Sequence, residues 1–229
     1  MEYGQVMRQL KSMGNEENRQ GMKRFGINVD AAFGISVTEL RKFAKSIKRD
    51  DELAVKLWAS GIHEARMLAC LIVDPAQFGD ERLEKWVSVF DSWDIVDICS
   101  MTIFCKLPDI SYYIHSWAAR EEAFVRRTAF ATIAAMAFKN KKLSDEDFEP
   151  YFELMLMHSN DSRNFVKKSV NWALRQVGKR NTKLNARAIE VANKILATDS
   201  PSARWIARDA LRELQSDAVR QRLAERGLD

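Results

Sequence analysis

Four stretches of this chain repeat one another: HEARMLAC (63–70), FVRRTAFA (124–131), FVKKSVNW (165–172) and WIARDALR (205–212). Aligned, they bring Arg66, Arg127, Lys168 and Arg208 to one phase. A fifth stretch, WDIVDICS (93–100), fits between the first two when Trp93 is set against Phe124, and Asp97 then falls within one residue of that phase. The steps from 66 through 97, 127 and 168 to 208 are 31, 30, 41 and 40 residues, the period of helix pairs that stack into solenoids. A pair of helices cannot bury both of its faces alone, so the period obliges neighbouring pairs to share a core. The chain is therefore expected to be all-α, a single right-handed solenoid of two-helix repeats forming one domain over 1–229, with a concave side. A row of cations broken by one carboxylate suggests a surface that grips a polyanion and acts on it at one point.

Local signals agree with helix nearly throughout. Apolar residues recur at three and four, as in Val166, Val170, Ala173, Leu174 and Val177, the spacing of a helix with one face to bury. Four Pro and nine Gly are too few for an all-β chain of 229 residues, and those present punctuate helical stretches. Helices are predicted over 2–13, 15–24, 36–48, 51–60, 62–73, 80–91, 93–106, 109–119, 121–139, 145–158, 162–179, 182–197, 200–214 and 216–226. Ser36 with Glu39, and in a weaker acidic form Ser144 with Asp147, read as capping boxes. Pro201 after Ser200 suits a first helical turn. The longest non-helical stretch is FGINVDAAFGI (25–35).

Bulk properties narrow the function class only mildly. A net charge of +4 permits nucleic-acid binding without requiring it, because a clustered face rather than the total attracts phosphate. AFATIAAMAF (129–138) falls far short of a membrane span, and the N-terminus lacks a basic segment leading into an apolar one, so a cytoplasmic location is expected. Cys70, Cys99 and Cys105 are an odd number in apolar helical contexts and read as buried thiols. The sequence has no GxSxG, HExxH, P-loop or paired CxxC. His63, His115 and His158 have no Cys or acidic partner at ligand spacing.

Around Asp97 the pattern carries more. Trp93 precedes it by four residues and Trp172 follows Lys168 by four, so each pair shares a helical face. Aromatic faces can hold a sugar or a cationic base, at roughly 0.5–2 kcal/mol for the cation–π part. The same residues admit plainer readings. Tryptophan in a helical repeat is commonly core, and Asp94 and Asp97 suit the start of a helix beginning near Ser92. Arg126, Arg127, Lys167, Lys168, Arg175, Lys179 and Arg180 form either a solvated face or a phosphate-binding one.

SWDIVD (92–97), FVRRTAF (124–130) and NFVKKSVNWALRQVGKRN (164–181) resemble the matching blocks of the AlkD-type DNA alkylation repair proteins, which are HEAT-like helical solenoids. The resemblance runs from about MKRFG (22–26) through the WIARDALREL repeat. It implies a HEAT-like repeat domain with a concave basic cleft. Asp97 matches the family's catalytic aspartate, Trp93 and Trp172 its two cleft tryptophans, and Arg127 its backbone-gripping arginine; these four are the expected catalytic set. Lys168 falls at a basic position of the same cleft, and Arg66, Arg126, Lys167, Arg175, Arg204 and Arg208 are expected to join it in binding DNA. Two departures stand out: Gly21 occupies a position where some active members carry Tyr, and the segment between Arg127 and Trp172 is longer.

The resemblance further implies a monofunctional alkylpurine DNA glycosylase, hydrolysing the N-glycosidic bond of N3- or N7-alkylated purines in duplex DNA, without metal or cofactor and as a monomer. Alkylation at those nitrogens leaves the base cationic and already a good leaving group. What remains is to stabilise an oxocarbenium-like sugar and to position water. A cleft of this kind offers no evident deep pocket for an extruded base, so discrimination is expected to come from the lability and charge of the lesion. Relatives that bind DNA without excising bases keep a non-catalytic reading open, and a protein-interaction scaffold is the third class.

Overall fold

The computed structural model describes residues 1–226. Fourteen α-helices occupy the described residues, and their cores form two compact units, Met1–Leu107 and Pro108–Asp229. The first holds α1 Tyr3–Ser12, α2 Glu16–Arg24, α3 Val37–Ile47, α4 Asp51–Ala59, α5 His63–Ile72, α6 Asp80–Val87 and α7 Trp93–Thr102. The second holds α8 Ile110–Ala119, α9 Ala123–Lys139, α10 Glu149–Met157, α11 Asn164–Gly178, α12 Thr182–Leu196, α13 Pro201–Leu214 and α14 Asp217–Arg226. None of the described helices is long and apolar enough to cross a membrane.

In the first unit the apolar faces of α3, α4 and α5 supply Leu40, Leu57, Leu68 and Ile72, all fully buried. Trp58 and Trp86 stack with ring centroids 3.7 Å apart, and Phe78 and Phe90 meet them edge-on. Helix α2 is different: it buries none of its residues. Polar bonds hold it instead. Asn18 Nδ2 donates to Gly34 O at 2.7 Å, and Arg19 Nε and Nη2 donate to Val29 O at 3.2 and 3.1 Å. That close approach requires Gly34, which has φ +82° and where a Cβ would lie 2.1 Å from Asn15 O.

The second unit is built on α9, buried from Arg127 through Ala137, as expected of a helix apolar on all sides. Helix α11 packs along it, and α12 and α13 close behind α11. At Gly178 a Cβ would stand 2.7 Å from both Ala188 Cβ and Leu214 Cδ2, so the absent side chain sets how closely α11 meets its neighbours. Arg180 donates to Ala137 O, Asn140 O and Leu143 O, satisfying carbonyls at and beyond the end of α9.

The predicted helices recur with shorter ends. The Ser36–Glu39 box forms in both directions, and Pro201 occupies the first turn of α13 behind the Ser200 cap. Ser144 N and Oγ both donate to Asp147 Oδ2, but they precede a 3-10 turn, Glu146–Phe148, and α10 begins only at Glu149. The stretch 93–106 divides at Ile103 into α7 and a 3-10 turn, Phe104–Lys106, where two consecutive β-branched residues crowd the preceding turn.

Candidate functional site

Helix α7 positions the residues singled out by the repeat. Ser92, buried just before it, accepts from Asn28 N at 2.9 Å instead of capping its own helix. Trp93 Nε1 donates to Phe25 O at 3.1 Å, which fixes the indole against the turn after α2. Asp97 lies one helical turn on, half-buried. Trp93 and Asp97 both line a cavity of about 550 Å³ whose other walls include Met22, Phe25, Ile35 and Met67. Its lining is drawn from α2, α3, α5 and α7.

Asp94, which also lines the cavity, belongs to a buried ionic arrangement that sequence spacing did not announce. His63 Nε2 pairs with Asp94 Oδ2 at 2.9 Å, the two side chains being 4% and 12% exposed. Burial alone would depress His63, but the hydrogen bond and charge of Asp94, with Glu64 and Asp91, raise it above its ordinary value. Asp94 Oδ1 also accepts from Ile95 N, so Asp94 does serve the helix start. Glu64, fully buried, accepts from Phe33 N, Gly34 N and Ile35 N at 2.8, 2.6 and 3.1 Å. His63 N donates to Ala31 O at 2.8 Å. Two adjacent residues of α5 thus pin both the 31–35 loop and the first turn of α7, which carry Ile35, Trp93 and Asp97 into the cavity wall.

The expected DNA-binding cations divide by what they touch. Arg66 is half-buried with its guanidinium 5.5 Å from the Trp58 ring centre. Arg126 donates to Ala118 O and pairs with Asp161 at 2.8 Å. Arg175 pairs with Glu213, with Asp209 at 3.7 Å, and Arg204 pairs with Asp199 at 3.0 Å. Lys167 lies 4.9 Å from the Trp205 ring centre. Lys168 and Arg208 are exposed, and among the described residues no carboxylate stands within ion-pair distance of either. Of the expected catalytic residues in the second unit, Arg127 is 5% exposed and donates to Phe165 O at 2.7 Å. Trp172 is half-buried, and with the Gln176 amide turned to satisfy its neighbours its Nε1 donates to that oxygen at 3.2 Å.

Sequence reasoning missed the roles of His63 and Glu64, while Gly21, singled out as a departure from some active members, lines the cavity. The signal for the first two was present in the repeat: Asp94 follows His63, and Glu64 follows Phe33, by 31 residues, the step that separates Arg66 from Asp97.

The family described as DNA alkylation repair enzyme matches residues 6–214. A solved structure from a family related to the HEAT-like repeat DNA glycosylases, described as having affinity for branched DNA structures, is 20% identical. It aligns over 93% of this chain and 96% of its own at a TM-score of 0.77, which shows a HEAT-like repeat fold. A designed armadillo repeat protein is 15% identical over 77% of this chain and 92% of its own, with a TM-score of 0.38. No curated protein matches the chain.

Proposed function

As the chain belongs to the DNA alkylation repair enzyme family, we propose that it is a DNA glycosylase of base excision repair that releases cationic N3- or N7-alkylated purines from duplex DNA. The observation that carries this reading is the placing of Trp93 and Asp97 together on one cavity wall. A purine alkylated at N3 or N7 already bears positive charge, so breaking its C1′–N bond sends the bonding electrons back to the base and neutralises it without an acid catalyst. The sugar is left electron-poor. Asp97, as a carboxylate, stabilises that developing charge and aligns the water whose oxygen bonds to C1′, with the water's proton passing to the carboxylate and on to solvent. The Trp93 indole, fixed by its bond to Phe25 O, offers an aromatic face to the cationic base or its sugar. Phosphate contacts fall to Lys168 and Arg208, exposed cations of the second unit at the phase of the repeat.

The test is release of free base from N-methylated duplex DNA by the wild type and by Asp97→Asn. Removing the carboxylate's charge leaves the side chain's size unchanged and is expected to lower release at least a hundredfold, the scale of losing one electrostatic stabiliser, while duplex affinity persists. Wild-type rates in the variant would remove Asp97 from the chemistry. Binding without release by either protein would favour non-catalytic DNA binding, and branched DNA, for which the solved relative is described as having affinity, would be the next ligand.

A further inference from the structure

The first turn of α7, which leads from Trp93 to Asp97, is held from outside. The Ser92 hydroxyl makes no cap for its own helix and accepts from Asn28 N at 2.9 Å instead. Two further bonds reach the same stretch: Asn28 Nδ2 donates to Asp91 Oδ2 at 2.8 Å, and Trp93 Nε1 to Phe25 O at 3.1 Å. Within 25–28 only Ile27 is buried, so these three bonds tie α7 to a segment with little packing of its own. The fourth tie differs in kind. His63 Nε2 meets Asp94 Oδ2 at 2.9 Å, both side chains nearly buried, and His63 opens α5, a helix buried over most of its length. Of the four, this tie alone reaches a core helix, and it is the one whose strength depends on a proton.

We propose that His63 and Asp94 are positioning residues for base release: their ion pair holds the first turn of α7 where the Asp97 carboxylate can meet the sugar, and release slackens when the pair loses its proton. The proposal rests on the reading of Asp97 as the carboxylate that stabilises the sugar, and adds how that carboxylate is held. Asp94 precedes Asp97 by three residues on one helix, so a tilt of the first turn displaces Asp97, and a misplacement of about 1 Å can cost on the order of a hundredfold in rate. Between imidazolium and carboxylate the bond is charge-assisted, roughly twice as strong as between neutral groups. The charged groups about His63 are Asp94 of α7, Asp91 ahead of it, Asp30 in the loop before α3, and Glu64 and Arg66 on α5 itself. Carboxylates outnumber the one guanidinium and outweigh the cost of burial, so the proton leaves on the alkaline side of the ordinary 6.5.

Base release from N-methylated duplex is measured from mildly acid to mildly alkaline pH for the wild type, Asp94→Asn and His63→Gln, at saturating DNA and with duplex affinity followed alongside. Asp94→Asn keeps the side chain's size and an oxygen to accept from Ile95 N, and removes the charge that His63 faces. The wild type should lose release as pH rises through the titration of His63. Both variants should release base about tenfold or more slowly at neutral pH, with unchanged affinity and without that alkaline limb. A limb shared by all three belongs to the DNA, and wild-type rates in either variant leave the pair no part in positioning; each result would overturn the proposal. The Trp93 indole N–H resonance, identified by its loss in Trp93→Phe, reports on the same turn without any reaction. It should move with pH in the wild type and stand still in Asp94→Asn. The wild-type titration needs neither variant of the pair to fold, and a resonance indifferent to pH, or one that moves equally in Asp94→Asn, refutes the tie whether or not base is released. A resonance that follows pH in the wild type alone, in a protein that releases no base, supports the tie and counts against the glycosylase reading.

Discussion

His63 shows how one residue makes the site conditional on pH. The imidazole is buried, which opposes its charge, yet Asp94 at 2.9 Å and the nearby Glu64 and Asp91 carboxylates hold the proton on. Its affinity for protons is therefore greater in the folded chain than in the unfolded one, and folding is favoured wherever the folded form alone is protonated or both are. That contribution is complete below the ordinary value of 6.5 and drains away as pH rises through the higher folded value. Melting wild type and His63→Gln side by side from mildly acid to mildly alkaline buffer should show a stability gap that narrows as pH rises; a constant or widening gap would refute the assignment. At this scale the sequence was half legible. Trp93 and Asp97 could be paired because four residues on a helix share a face. His63 and Asp94 could not, because local spacing says nothing of two helices one repeat apart unless the repeat step is applied to every polar residue.

Among the elements, boundaries followed caps and periodicity, so α3 and α13 begin where Ser36 and Ser200 begin them. What the periodicity could not convey is which helices carry core and which hang on polar bonds. Helix α2 and α9 both read as helix, yet one buries nothing and the other is buried almost throughout. The junctions of the second unit likewise depend on a single carboxylate. Asp161 takes Arg126 at 2.8 Å and Arg163 at 2.5 Å, and its carbonyl accepts from Ser202 Oγ at 2.6 Å, so it joins the starts of α9, α11 and α13. Burial would raise this carboxyl, but the bonds from Arg163 and Arg126 outweigh it and hold it down at about 2. A depressed carboxyl stabilises the fold above its ordinary 3.8 and loses that contribution as pH falls toward 2. The shift amounts to about 2 kcal/mol at neutral pH. Asp161→Asn should therefore lower stability by that order at neutral pH and flatten the acid limb of the stability curve. An acid limb as steep as the wild type's would assign that dependence to other groups.

Across the molecule, the repeat step read from sequence returns as a step between contacts. Bonds in the first unit join residues 31 apart, as in His63–Asp94 and Arg82–Asp51. In the second they join residues 38 apart, as in Arg127–Phe165, Asn171–Asp209 and Arg187–Glu149. This is why helical repeats were legible while the role of each cation was not: phase along the chain aligns positions, but the carboxylate one repeat away decides whether a cation is available. Arg175 has Glu213 in that place, and Arg208 has no such partner among the described residues. Binding to duplex DNA should separate them. Each cation that touches phosphate contributes close to one unit to the slope of log affinity against log salt, so Lys168→Ala and Arg208→Ala should each weaken binding and flatten that slope by about one. Arg175→Ala, which removes a cation already neutralised by Glu213, should leave the slope unchanged while lowering thermal stability. If Arg175→Ala flattened the slope and the other two did not, phosphate binding would belong to the paired cations, which would have to exchange their carboxylates for DNA.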